Sequence, residues 1–65
     1  MPLSDQETRV VKLVGEGHTN IQIAKILNIN LSTVDNLRAA AMRKLNVSSS
    51  TGLVRHAVRI GLVEP

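Results

Sequence analysis

Five side chains along one stretch, Ser32, Asn36, Ala39, Ala40 and Arg43, fall on the same side of a helix when about 100° is allowed per residue, and that side is small, polar and basic. Such a surface suits the major groove of duplex DNA. An Asn carboxamide matches the donor and acceptor that adenine presents at N6 and N7, and an alanine methyl meets the thymine methyl while letting a helix sit close to the bases. Asn36 is therefore the leading base reader, with Ala39 or Ala40 against thymine. Ser32 suits a base or a phosphate, and Arg43, near the far end of the helix, suits a phosphate. The same five residues would also serve as an ordinary solvated helix face, and their spacing alone does not separate the two.

Other phosphate candidates lie around this face. Thr19 and Asn20 begin a helix, where unpaired N–H groups and the positive end of the helix dipole favour an anion; Thr19 is also a plain helix cap, and the two roles are compatible. Thr33 and Lys44 flank the recognition face. Arg38 ranks below them, because it points nearer the core side, where it would snorkel along the helix or pair with an acid. His18 and His56 stand apart, with no Cys and no carboxylate four residues away, so no metal or other cofactor is expected. Asp5 and Glu7 are accounted for by helix capping. No nucleophile, oxyanion nest or glycine-rich phosphate loop accompanies them, which argues against an enzyme.

The elements that must position these residues are legible in caps and stripes. Ser4 followed by Glu7, and Thr19 followed by Gln22, are two capping boxes. The first opens a helix at about 5–16, with Val10, Val11, Leu13 and Val14 as its apolar stripe and Gly17 placed to stop it. The second opens a helix at 20–27, with Ile23, Ala24 and Leu27 inward. Asn28, Ile29 and Asn30 make a tight turn, Ile29 as an apolar plug and Asn30 as the next N-cap. A third helix spans 31–45 with Val34, Leu37, Ala41 and Leu45 inward and Met42 at the edge, ending at Asn46 in the left-handed region. A serine of the run 48–50 caps a fourth, at 50–60, whose inward residues are Leu53, Ala57 and Ile60 and whose stop is Gly61. The expected fold is all-α. Helices two and three are too close in sequence to cross at a shallow angle, which makes a helix-turn-helix.

Bulk properties agree. The 65 residues make one domain, 1–65, which buries only roughly 60% of its unfolded surface. Eight Lys and Arg against five Asp and Glu give a net charge of +3, compatible with a polyanionic partner. With no Cys, neither disulfides nor thiolate zinc sites are available. With no Phe, Tyr or Trp there are no platforms for stacking single-stranded bases, which disfavours RNA-recognition sheets and leaves duplex recognition. No apolar run approaches the ~20 residues of a bilayer span and no export leader is seen, so a cytoplasmic protein without a membrane partner is expected.

In its order of residues the chain resembles the LuxR/FixJ-type (NarL-like) DNA-binding domain of bacterial transcription regulators. The resemblance rests on Leu3, Ser4 and Glu7, the pairs Val10, Val11 and Leu13, Val14, then Glu16, Gly17, Thr19, Asn20, Ile23, Ala24 and Leu27. It continues through Thr33, Val34, Arg38, Met42, Arg43, Lys44, Leu45, Val47, Ser48 and Ser49 to Leu53, Val54, Gly61 and Leu62. It implies four helices, the third in the major groove and the fourth used to pair two subunits on DNA. On that fourth helix Val54 and Val58 lie four apart beside the core line and are the residues expected to form a weak homodimer. Such domains usually follow a receiver or ligand-binding sensor, so an N-terminal partner domain is expected and Met1 and Pro2 read as a linker remnant.

Four departures from the family pattern bear on function. Leu37 stands where His is frequent and Ala41 where Ile is common, a compensating pair on the inward face. Asp35 occupies a position often taken by Lys and sometimes by an acidic residue, so no phosphate contact carries over to it. Gly52 replaces an acidic residue in the first turn of the fourth helix, where its low propensity predicts fraying. Ile21, Ile26, Leu31 and Leu37 are apolar where relatives are commonly polar, as scattered surface aliphatics or as a contact patch. The leading function is sequence-specific duplex DNA binding as a dimer on two half-sites, by the effector domain of a response regulator. The alternatives are a sigma-factor promoter-reading domain and a helix-turn-helix fold used for protein interaction.

Overall fold

In the computed structural model, which describes residues 2–64, the chain forms α1 (Asp5–Gly15), α2 (Asn20–Leu27), α3 (Leu31–Leu45) and α4 (Ser50–Arg59). No strand occurs among the described residues, and the all-α, four-helix class expected from the sequence is the one observed. Of the two residues read as a linker remnant, Met1 lies outside the described residues and Pro2 is exposed ahead of α1.

Local chemistry sets the helix ends. At α1 the Glu7 N–H donates to Ser4 Oγ at 3.1 Å and the Ser4 N–H donates to Glu7 Oε1 at 2.8 Å. At α2 the Gln22 N–H donates to Thr19 Oγ1 at 3.2 Å and the Thr19 N–H to Gln22 Oε1 at 2.9 Å. Both capping boxes are thus closed, each satisfying two donors that a helix start otherwise leaves unpaired. Asn28 (φ 55°) and Asn46 (φ 56°) end α2 and α3 in the left-handed region, which Asn enters more readily than other side chains. Asn30 takes the N-cap position of α3, although its side chain makes no capping hydrogen bond. Ser49 is the serine that caps α4, accepting from the Gly52 N–H at 3.0 Å.

One core joins the four helices. Val10, Val11 and Val14 of α1, Ile23 of α2, Val34 and Ala41 of α3, and Leu53 and Ala57 of α4 are buried together with Val63. Each fully buried aliphatic side chain contributes ~1.5–3 kcal/mol, so this cluster is the main stabilising feature of a fold without disulfides. The α1 helix is the central post, packed against α3 and α4 and more lightly against α2, while α2 packs on α3. Ile29 plugs the turn by packing on the cluster, and Leu37 joins it half-buried rather than standing as a surface aliphatic.

One expectation is corrected at the C-terminal end of α4. The α1 and α4 helices end at Gly15 and Arg59, within one residue of the ends read from the sequence, but Ile60 is 49% exposed instead of completing the core. Gly61, at φ 80°, turns the chain back, and Val63 takes the buried place beside α1. A Cβ on Gly15 would lie 3.0 Å from Ala57 Cβ and 3.1 Å from both Val63 methyls, so the missing side chain is what lets α1 and the C-terminal segment approach. Gly52, expected to loosen α4, has a packing role of its own. A Cβ there would lie 2.6 Å from Val47 Cγ1, and the first turn of α4 is hydrogen-bonded to Ser49.

Candidate nucleic-acid interface

The face of α3 opposite Val34 and Ala41 is open to solvent. Ser32, Asn36, Ala39 and Arg43 are exposed on it, and Ala40 and Thr33 are half-buried at its margin. Because α3 is pinned from behind by α1 and from the side by α2, these side chains stand on a rigid helix, and all of them but Arg43 are small. A helix of this profile can approach another surface closely.

At the start of α2 the capping box occupies the N–H groups of Thr19 and Gln22. The helix's own hydrogen bonds begin at Ile23, whose N–H donates to the Thr19 carbonyl at 2.9 Å. The N–H groups of Asn20 and Ile21 are left at the positive end of the helix, where an anionic oxygen is favoured. Thr19 contributes by fixing this end, since its own N–H is already engaged.

The Asn20 side chain is committed elsewhere. Its Nδ2 donates to Asp35 Oδ1 at 2.8 Å, its Oδ1 accepts from Arg38 Nη1 at 2.7 Å, and Arg38 Nη2 donates to Ser50 Oγ at 2.6 Å. This chain of four residues ties the first residue of α2 to α3 and on to the first residue of α4. Arg38 is thus turned off the recognition face, as its helical position suggests, but toward an amide and a hydroxyl rather than an acid. The sequence signal for the network is slight: Asp35 and Arg38 share a helix edge three residues apart, whereas Asn20 and Ser50 are far from them along the chain.

Lys44 is drawn toward α1. Expected to offer a phosphate-binding charge, it places Nζ 2.7 Å from Glu7 Oε1, with the two side chains 25% and 7% exposed. The ammonium group therefore faces α1. Hydrogen bonding from Lys44 is the main cause holding the Glu7 carboxyl below its ordinary value, the Ser4 backbone N–H is the next, and desolvation opposes both. Of the eight basic side chains, Arg38 and Lys44 are thereby engaged within the fold, while Arg9, Lys12, Lys25, Arg43, Arg55 and Arg59 are exposed. The exposed face of α3 carries one cation, Arg43, and, toward its α2 side, one anion, Asp35, so its formal charge cancels. Among the described residues, no group of His, Asp or Glu could hold a metal ion and no helix is long and apolar enough to cross a membrane.

The family model described as bacterial regulatory proteins, luxR family, matches residues 1–57. The uncharacterized response regulatory protein YgeK of Escherichia coli is 35% identical over 60 residues, which are 92% of this chain and 41% of that protein. The transcriptional regulatory protein MctR of Rhizobium johnstonii is 32% identical over 62 residues, 95% of this chain and 29% of its own. The transcriptional regulatory protein RcsB of Escherichia coli is 33% identical over 60 residues, 92% of this chain and 28% of its own. The chain spans well under half the length of these curated relatives. No solved structure gives a significant match.

Proposed function

Because the chain belongs to the luxR family of bacterial regulatory proteins, we propose that it is the duplex-DNA-binding module of a bacterial transcription regulator, with α3 in the major groove. Ser32, Asn36, Ala39 and Ala40 meet base edges; the N–H groups at Asn20 and Ile21, together with Thr33 and Arg43, meet phosphates. The observation that carries this is the exposed, small and polar face of α3 held on a buried apolar back. Relatives described as regulatory proteins, matched over only part of their length, support a whole protein in which a receiver or sensor precedes residues 1–65 and which works in the cytoplasm. Two copies pair weakly through Val54 and Val58 on α4 and bind two half-sites about one helical turn or a multiple of it apart. The same relatives favour a regulator over a sigma-factor promoter reader.

A second use, as a protein-interaction module, is favoured by the near-neutral recognition face and by Ile21, Ile26 and Leu31, which are exposed. Salt dependence separates the two, because DNA binding releases counterions and weakens steeply with salt, whereas apolar docking does not. The residue-level test is Asn36→Ala, titrated on specific and scrambled duplexes. Loss of ~1–3 kcal/mol on the specific duplex alone is expected of a base contact. Equal losses on both would remove Asn36 from base readout.

A further inference from the structure

Asp35 sits on the α2 side of the recognition face, within one helical turn of Ser32 and Ala39 and next to Asn36, and its side chain is exposed. An acid there is at odds with phosphate binding, since it would repel the DNA backbone. Its carboxylate is nevertheless held in a defined place. Asn20 Nδ2 donates to Oδ1, and Asn20 is itself fixed by Arg38, which is anchored on Ser50. Three residues from three helices thus hold one carboxylate, and the bond from Asn20 uses only one of its two oxygens, leaving most of its roughly four acceptor sites open.

We propose that Asp35 is a specificity-determining residue that selects cytosine at one base pair of each half-site, an inference that rests on the DNA-binding function above. An ionised carboxylate only accepts hydrogen bonds. Along the major groove the donors are the N4 amino group of cytosine and the N6 amino group of adenine. Adenine places its N7 acceptor beside that amino group, which suits an amide such as Asn36 and repels a second carboxylate lone pair. Guanine and thymine offer acceptors at O6, N7 and O4. Cytosine is the one base whose edge offers a donor without an opposing acceptor of its own. Asp35 acts mainly by rejection: it disfavours three bases at its position and lowers affinity for random DNA, and discrimination needs such repulsive elements as much as attractive ones.

The experiment is selection of binding sites from a random duplex pool by the 65-residue chain and its Asp35→Ala and Asp35→Asn variants. Circular dichroism and thermal melting confirm that each is folded. The wild type is expected to enrich cytosine at one position next to the base pair that responds to Asn36→Ala, by ~10- to 100-fold over the other bases. Asp35→Ala should lose that preference at that position only and bind scrambled duplex more tightly. Asp35→Asn, which keeps an acceptor for Asn20, should replace cytosine with adenine there, and it carries the test even if the alanine variant loosens α2. Identical selected sequences for wild type and both variants, or no position requiring cytosine, would overturn the inference while leaving DNA binding intact. Failure of all three proteins to retain any duplex would overturn both.

Discussion

Lys44 Nζ lies 2.7 Å from Glu7 Oε1, a contact between residues 37 apart in sequence that ties the last turn of α3 to the first turn of α1. The same carboxylate oxygen accepts from the Ser4 N–H that opens α1. Glu7 therefore joins a local cap to the placement of the recognition helix. Among the described residues it is the one charged side chain that is buried.

This pairing predicts a pH dependence with a definite sign. The folded-state value of Glu7 lies below the ordinary 4.5, so its contribution to stability is complete above the unfolded-state value and is lost as pH falls through the lower folded-state value. Thermal melts of wild type should therefore show a falling Tm through and below the ordinary glutamate range. Glu7→Gln should melt lower at neutral pH, decline less on acidification and converge with wild type at the acid end. Parallel curves for the two proteins would mean that Glu7 is not the group responsible.

The two neighbouring cations at the end of α3 should behave differently, because one faces solvent and the other faces Glu7. Arg43→Ala should lower affinity for every duplex and reduce the slope of log K against log salt by ~1, with little change in Tm. Lys44→Ala should leave that slope unchanged and lower Tm, since it leaves the Glu7 carboxylate without its counter-charge. A reduced salt slope in Lys44→Ala would show that the ammonium leaves Glu7 for the DNA.

Gly52 offers a test in which the sign reverses. A Cβ added there would meet Val47 Cγ1 at 2.6 Å, and a β-branched neighbour has few rotamers with which to yield. Overpacking of this kind costs ~1–3 kcal/mol, against a helix-propensity gain of at most ~1 kcal/mol from replacing glycine with alanine. Gly52→Ala should therefore lower stability by about 1 kcal/mol, or several degrees in Tm for a domain of this size. In a Val47→Ala background the same change should be neutral or stabilising by up to ~1 kcal/mol. Urea titration of the four proteins measures both effects.

What was legible in the sequence was local. The Ser4 to Glu7 and Thr19 to Gln22 boxes involve residues three apart, and the stops at Asn28 and Asn46 depend on the residue itself. Periodicity also separates the buried Val34 and Ala41 from the exposed Asn36 and Arg43, because a rigid helix fixes which residues share a side. Ile60 shows the limit: it continues the 3.6-residue stripe, but the helix has ended and the turn at Gly61 brings in Val63 instead. Lys44, Arg38 and Asn20 were harder still. Their long or forked polar ends reach other helices, and spacing along one helix fixes the root of a side chain without fixing what its tip will meet.

The final prediction concerns assembly. Val54 and Val58 lie four residues apart on α4, half-buried against the core, beside the fully buried Leu53 and Ala57. A two-fold axis would bring two such stripes together as one self-complementary patch. Two valines a side fall well short of the ~1,200 Å² that a stable interface buries, so the isolated chain should sediment as a monomer at micromolar concentration. Once two α3 helices occupy adjacent half-sites, the DNA supplies the high local concentration that the patch lacks, and pairing should become favourable. Val54→Asp should bind a single half-site as wild type does and lose the added affinity for two, while retaining its helical signal. Persisting cooperativity on two half-sites would move the contact away from this stripe, and unfolding of the variant would place Val54 in the core and leave α4 without a pairing surface there.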